Sequence, residues 1–282
     1  MNEQLQKKVD FAIRLLQGAE KMAEKVGQPV EICYSGGKDS DVILELARMS
    51  GIKYRAIYKN TTIDYPGTIK HAREVGADIL QPKMNFRQII EKMGYPNMFR
   101  RFCCGILKEY KVLDYAVVGI RRSESTKRAA RYKEPETCRV YSKTKKVRQY
   151  MPILEWSDDD VIEFIAERGI KCHPLYYDAE GSFHVDRRCG CVGCPIAGKY
   201  KRLEQFKRFP GFLKLYLRAC RVYFDTHPNA KNKPVVRNEY GWLVAELFYD
   251  DIHKFKAAYS QNIFGEEPDF KKMLEDYFGI KL

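Results

Sequence analysis

The chain predicts an α/β fold, a doubly wound parallel sheet with a helical C-terminal cap, and three features carry that expectation. Short apolar, β-branched runs alternate with amphipathic stretches at helical spacing, the pattern of parallel strands crossed by helices. One junction, Ser35-Gly36-Gly37-Lys38-Asp39-Ser40, passes from a strand through a glycine turn straight into a helix. From Phe206 onward the strand signal stops, and residues 206–282 read as mostly helical.

Residues 1–8 lack the hydrophobic stretch of a secretory signal and read as helix. Residues 11–26 continue as an amphipathic helix, with Phe11, Ile13, Leu15, Leu16, Ala19, Met22 and Ala23 near helical spacing. Residues 30–34 form the first predicted strand. The helix behind the glycine turn runs to about Arg48, before Gly51. A second strand follows at 54–58, a helix at 68–75, a short strand at 78–80 and a helix at 86–93. Residues 116–120 read as a buried parallel strand. Ser157 caps a helix to Arg168, with Asp158, Asp159 and Asp160 in its first turn, where carboxylates favour the positive end of the helix dipole. Residues 119–146 read as a long mobile loop. The expected division is a nucleotide-binding domain over 1–198 and a helical region over 199–282.

At 282 residues the chain allows one large domain, or one with a small appendage. No apolar run reaches the length of a membrane span, so a cytoplasmic protein without a membrane partner is expected. Lys and Arg outnumber Asp and Glu by 50 to 37, an excess of 13 that favours polyanionic partners or a nucleotide cleft.

The nine cysteines are unevenly placed: Cys103 and Cys104 are adjacent, Cys189, Cys191 and Cys194 are clustered, and Cys33, Cys138, Cys172 and Cys220 are isolated. Without a secretory signal, such clusters point to metal binding or catalysis before disulfides. Cys33, Cys172 and Cys220 read as small buried hydrophobes. Two residues between Cys191 and Cys194 let both thiolates face one metal centre. Four thiolates suit zinc and iron–sulfur clusters alike, and spacing does not separate them.

The glycine turn carries the chemistry. A strand–glycine–helix junction aims free backbone N–H groups and the positive helix end at one point, which suits a pyrophosphate. Gly36 and Gly37 let the backbone approach phosphates, and Ser35 and Ser40 add hydroxyl donors. Beyond the strand ending near Gly119, Arg121, Arg122 and Arg128 are placed to clamp phosphate oxygens. Lys143, Lys145 and Lys146 read as a solvated run.

The 35–40 loop resembles the SGGxDS loop of the PP-loop ATP pyrophosphatases, not the GxxxxGK[ST] loop of other nucleotide-binding proteins. Further segments resemble the phosphoadenosine phosphosulfate (PAPS) reductase family of that superfamily. They are Asn60-Thr61-Thr62-Ile63-Asp64-Tyr65-Pro66-Gly67-Thr68, Cys103-Cys104, residues 119–128, Pro152-Ile153-Leu154-Glu155-Trp156-Ser157 with Val161, His173-Pro174-Leu175-Tyr176 and Gly190-Cys191-Val192-Gly193-Cys194. The resemblance implies an adenine nucleotide alpha hydrolase-like sheet and ATP with Mg²⁺ as ligand. It also implies a 4Fe-4S cluster on Cys103, Cys104, Cys191 and Cys194, leaving Cys189 unassigned. Lys108 holds the place of a lysine that links cluster to substrate in the family, while Leu107 replaces the arginine usual before it.

Two departures shape the functional expectation. The family's reductases carry a C-terminal Glu-Cys-Gly-Leu-His segment, whereas this chain's last cysteine is Cys220 and it ends Asp276-Tyr277-Phe278-Gly279-Ile280-Lys281-Leu282. Sulfonucleotide reductases also commonly carry a degenerate glycine loop, and here Gly36, Gly37 and Asp39 are intact. The expectation is therefore an ATP-using enzyme that adenylates an acceptor with pyrophosphate release, for sulfur transfer to DNA or tRNA, with a sulfur-donor protein as partner. Lys38, Asp39, Lys108 and Arg122 are its candidate catalytic residues; residues 35–40, Gly119, Arg121, Arg122 and Arg128 bind the nucleotide. The alternatives are a reductase that takes its thiol from a partner and a non-catalytic module that binds nucleotide and cluster.

Overall fold

The Asn2 side chain accepts a hydrogen bond from the Leu5 N–H (2.9 Å) and starts α1, which runs unbroken over Glu3–Glu24. The computed structural model describes residues 1–97, 99–141, 145–249, 252–260 and 268–282; Lys143 of the expected loop lies outside them. Next come β1 (Val30–Tyr34), α2 (Lys38–Ser50), β2 (Tyr54–Lys59), α3 (Thr68–Glu74) and β3 (Asp78–Leu80). Helices α4 (Phe86–Met93) and α5 (Phe102–Leu107) precede β4 (Tyr115–Val117), α6 (Thr126–Arg131), β5 (Glu136–Val140), β6 (Lys146–Tyr150) and α7 (Asp158–Arg168). Residues 169–198 are mostly irregular, with a 3₁₀ turn at Pro174–Tyr176, and helices follow: α8 (Lys199–Arg208), α9 (Pro210–Thr226), α10 (Lys233–Val236), α11 (Glu239–Val244), α12 (Ile252–Ser260) and α13 (Phe270–Phe278).

The six strands form one sheet in the order β3-β2-β1-β4-β6-β5. All neighbouring pairs are parallel except β5 with β6. From β1 the chain winds outward to β2 and β3, and from β4 it winds the other way to β6. The direction reverses between β1 and β4, and ligands of doubly wound sheets bind in the crevice beyond the carboxyl ends of two such strands. The segments at those ends are the glycine turn after β1 and residues 118–121 after β4. Inside the sheet, the fully buried Glu31 is satisfied by Lys59 (3.2 Å) and the Leu113 N–H (2.7 Å).

Two sequence expectations need correction. Strand β4 ends at Val117, not Ile120, because the chain leaves the sheet at Val118 and brings Gly119 against Asp39. Residues 119–146 are not one long loop; they hold a short 3₁₀ turn at Arg122–Glu124, α6 and the edge strand β5. β5 alternates exposed with half-buried residues and carries few apolar side chains, so it gives no core-strand pattern.

The chain forms two compact units that interleave in sequence. One comprises residues 1–60, 64–81 and 109–190, and the other residues 61–63, 82–108 and 191–282. The first holds the sheet, with Leu16, Ile32, Ile43, Trp156 and Phe164 in its core. The second is helical, with Phe86, Phe206, Tyr216, Leu243 and Phe255 buried. Thus residues 82–108 group with the C-terminal helices, whereas the sequence division at 198 follows chain order. Among the described residues no helix is long and apolar enough to cross a membrane.

Candidate functional site

Three physical constraints shape the turn between β1 and α2. Gly36 has φ +75°, and a Cβ on it would lie 2.4 Å from the Thr68 methyl, so both backbone and space require glycine. Gly37 is the N-cap residue of α2, and a Cβ there would stand 3.3 Å from the Tyr176 hydroxyl. Ser40 donates to the Gly37 carbonyl (2.6 Å) and accepts from Ser35 (3.2 Å), which ties the turn to the first helical residues. The Tyr176 hydroxyl receives the backbone N–H of Cys189 at 3.3 Å. Cys189 also packs its thiol 3.3 Å from the Thr68 hydroxyl.

Asp39, second in α2, bridges two cations: its carboxylate takes Arg121 Nε at 2.7 Å and Lys38 Nζ at 3.1 Å. Arg121 is only 1 % exposed and uses its other nitrogens on Asp158 (2.7 Å), Ser123 (2.9 Å) and the Trp156 carbonyl. Arg122 turns toward the end of α6, donating to the Tyr132 carbonyl (2.8 Å) and the Lys133 carbonyl and pairing with Glu155 (2.5 Å). Arg128 and Arg188 share one carboxylate, Glu124. Burial, then the charge of Arg188, lowers the Arg128 pKa from its ordinary value. Two guanidinium groups against one carboxylate leave positive charge for an anion.

The second unit holds the four thiols of the expected cluster. Cys103 and Cys104 lie in α5, Cys103 buried, and Lys108 caps that helix with its N–H on the Cys104 carbonyl (2.9 Å). The Cys191–Cys194 turn is fixed by three hydrogen bonds: Val192 N–H to Ile63 (2.7 Å), Gly193 N–H to Gln205 (3.0 Å) and Tyr216 hydroxyl to the Val192 carbonyl (2.8 Å). Gly193 has φ +71°, and a Cβ there would lie 2.3 Å from the Phe206 ring. A hydrogen bond with Cys104 and burial push the Cys103 thiol pKa up, as do the nearby Cys191 and Cys194. The donor set suits a thiophilic group. As the side chains stand, no three His, Cys, Asp or Glu among the described residues are gathered closely enough to hold a metal ion.

A profile of the phosphoadenosine phosphosulfate reductase domain matches residues 29–197, which take in the glycine turn, the arginine segment and the clustered cysteines. The chain belongs to this family. A protein of Methanocaldococcus jannaschii described as uncharacterized is 29 % identical over 223 residues, covering 72 % of this chain and 44 % of that protein. An uncharacterized 37.8 kDa protein of Escherichia phage 186 is 32 % identical over 148 residues, 47 % of this chain and 42 % of its own length. The chain spans about half the length of the curated relatives it matches, 44 % and 51 % for two from M. jannaschii.

Among solved structures, phosphoadenylyl-sulfate reductase of Candida auris in a phosphate complex is 16 % identical, with a TM-score of 0.43 over 62 % of this chain and 91 % of that one. FMN adenylyltransferase of Candida glabrata is 12 % identical, with a TM-score of 0.44 over 62 % and 59 %. Similarity at this level carries no argument about activity.

Within this PAPS reductase domain, the first unit brings together Ser35, Gly36, Gly37, Lys38, Asp39, Ser40, Gly119 and Arg121. Gly119 permits that approach, since a Cβ there would press against the Asp39 backbone at 3.3 Å. Lys108 and the four cysteines belong to the second unit. Sequence reasoning gives no role to Arg188, Thr68 or Tyr176 and leaves Cys189 unassigned. Thr68 and Tyr176 lie in segments that resemble the family, but what the two side chains touch has no local signature. Asp41 is a further buried residue of α2, held by Tyr34 (2.5 Å) and His71 (3.0 Å).

Proposed function

We propose that this chain binds ATP with Mg²⁺ at the 35–40 turn and transfers the adenylyl group to an acceptor oxygen, releasing pyrophosphate, as the activating half of a sulfur transfer to nucleic acid. One observation carries the reading: an intact glycine turn at the switch point of the sheet, with Arg128 and Arg188 sharing a single carboxylate in the same unit. The acceptor oxygen attacks the α-phosphorus, the bond to the bridging oxygen breaks, and pyrophosphate leaves with that electron pair. Sulfur from a donor protein then displaces AMP. Backbone N–H groups at the start of α2 oppose the charge growing on pyrophosphate. A phosphate oxygen in the turn accepts the Lys38 N–H.

Arg128 and Arg188 form the phosphate clamp in this proposal. Arg121 positions Asp39, which braces the turn, and Arg122 anchors the end of α6. Cys103, Cys104, Cys191 and Cys194 would hold a 4Fe-4S cluster, with Lys108 as the cation one turn past Cys104; such a group supplies electron or sulfur transfer when bound. The fixed turn around Gly193 and the thiol donor set support that assignment.

The family description favours a second reading, reduction of a sulfonucleotide by a protein thiol. Cys220 does not supply that thiol, being 0 % exposed in α9 with its pKa raised by burial well above the ordinary value, so this reading takes its thiol from a partner. Incubation with PAPS or adenylyl sulfate and thioredoxin should release no sulfite. Release at about one per second or faster, a common enzymatic turnover, reverses the order of the two readings.

A further inference from the structure

The second unit contains a cavity of about 600 Å³ that the adenylation chemistry does not use. A volume of that size suits a small ligand. Its apolar lining combines Pro195 and Ile252 with Tyr223 and the nearly fully buried Tyr95 and Trp242, with ring centroids 6.3 Å apart for Tyr95–Trp242 and 5.4 Å for Tyr223–Trp242. Gly94, at φ +84°, lets the backbone pass this group, because a Cβ there would come within 2.9 Å of the Trp242 ring. The buried Tyr95 hydroxyl has no hydrogen-bond partner of normal geometry among the described residues, and Arg202 is its charged neighbour.

Phe99 also lines the cavity yet is 87 % exposed, the most exposed of the large apolar side chains among the described residues. The polar lining is cationic in balance, with Arg100, Arg202 and Lys231 against Glu246. The whole unit shares that bias: its residues carry 22 Lys and Arg against 12 Asp and Glu, an excess of ten out of the chain's 13. The sheet-bearing unit is close to neutral by comparison.

We propose that this cavity receives an unpaired nucleobase of a single-stranded nucleic acid, which stacks on the exposed ring of Phe99 while flanking phosphates meet Arg100 and Lys231. The proposal rests on the reading of nucleic acid as acceptor and gives that acceptor a place in the second unit. Aromatic rings with interspersed cations match the two surfaces of a nucleotide, a flat π-face and an anionic backbone. In a duplex those faces are buried in the stack, so the base must be unpaired to use them. Ten excess charges exceed what one mononucleotide neutralises, which favours a strand over a free nucleotide. Phe99, standing exposed, offers the stacking face, and the buried Tyr95 and Trp242 form the floor beneath it.

The test uses the full chain and a fluorescent single-stranded DNA of about 12 nucleotides, within the usual site size of such binders, followed by anisotropy at two salt concentrations. RNA of the same sequence, the duplex and AMP serve as competitors. The strand should bind more tightly than duplex or AMP, and salt should weaken it. Phe99→Ala should raise Kd by about fivefold or more, and Phe99→Trp should restore it. Arg100→Ser and Lys231→Ser should each flatten the salt dependence. ATP binding by calorimetry should be unchanged in Phe99→Ala, whose exposed position leaves the fold intact. A Kd unaffected by Phe99→Ala and by Arg100→Ser overturns the proposal, as does equal competition by AMP or duplex. Pyrophosphate release without strand binding would remove this inference and leave adenylation standing. Strand binding sensitive to Phe99 without pyrophosphate release would keep the cavity assignment and remove adenylation.

Discussion

Replacing Gly36 with alanine tests the glycine turn through two separable costs. At φ +75° the backbone is left-handed, which penalises an L-residue by about 1–2 kcal/mol. The new methyl would also lie 2.4 Å from the Thr68 Cγ2, and Thr68 is buried at the start of α3, so the helix end must shift. Overpacking of this kind costs about 1–3 kcal/mol, for a total of about 2–5 kcal/mol. Thr68→Ser removes the offending methyl but keeps the hydroxyl that donates to the Tyr65 carbonyl (2.6 Å). In that background Gly36→Ala should cost only the backbone part, so the double-mutant cycle should show a coupling of about 1–3 kcal/mol. Urea unfolding of the four proteins measures it, and calorimetry with ATP and Mg²⁺ should show weakened binding in Gly36→Ala. A coupling below about 0.3 kcal/mol, the limit for independent sites, would refute the steric argument.

Other substitutions probe the remaining parts. Arg121→Met leaves Asp39 and Asp158 without their shared cation and should destabilise the chain by about 3 kcal/mol, read by thermal or urea unfolding; a neutral outcome would mean that Arg121 does not brace the turn. Anaerobic preparations should be brown and contain about four irons per chain. Serine at Cys103, Cys104, Cys191 or Cys194 should bleach them and Cys220→Ser should not; stoichiometric zinc without iron would replace the cluster by a structural zinc site. Burial and the neighbouring His71 lower the His173 pKa from its ordinary 6.5. The unfolded chain therefore binds the extra proton first as pH falls, so this contribution to stability is complete above pH 6.5 and is lost below it. The unfolding midpoint of wild type should drop more than that of His173→Gln between neutral and acidic pH, and parallel curves would contradict the assignment.

Much of the first unit was legible because its signals are local. Val30 to Tyr34 and the glycines after them declare a strand, a turn and a helix within a few residues, and Ser157 is the cap that the sequence announces at α7, to which the structure adds the reciprocal bond with Asp160. The edge strand β5 was not legible, since Glu136, Thr137, Cys138 and Arg139 give no apolar periodicity; pairing with β6 creates the strand. The arginines show the same limit at the site. Arg121, Arg122 and Arg128 stand close in sequence, but the fold sends Arg121 inward to Asp39 and Asp158 and Arg122 to backbone carbonyls, and it brings Arg188 to Arg128 through their shared Glu124. Long-range partners of this kind leave no trace in spacing. The interleaving of the two units is equally invisible locally, because residues 61–63 and 82–108 join the C-terminal helices only through tertiary packing.

The most direct test of adenylation follows ATP labelled at the α-phosphate, incubated with Mg²⁺, a sulfur donor and single-stranded DNA or tRNA. AMP and pyrophosphate should appear in equal amounts, dependent on the acceptor and lost in the Arg128→Met and Arg188→Met double variant. ADP with inorganic phosphate as the products, or sulfite release from PAPS with no turnover of ATP, would contradict the account.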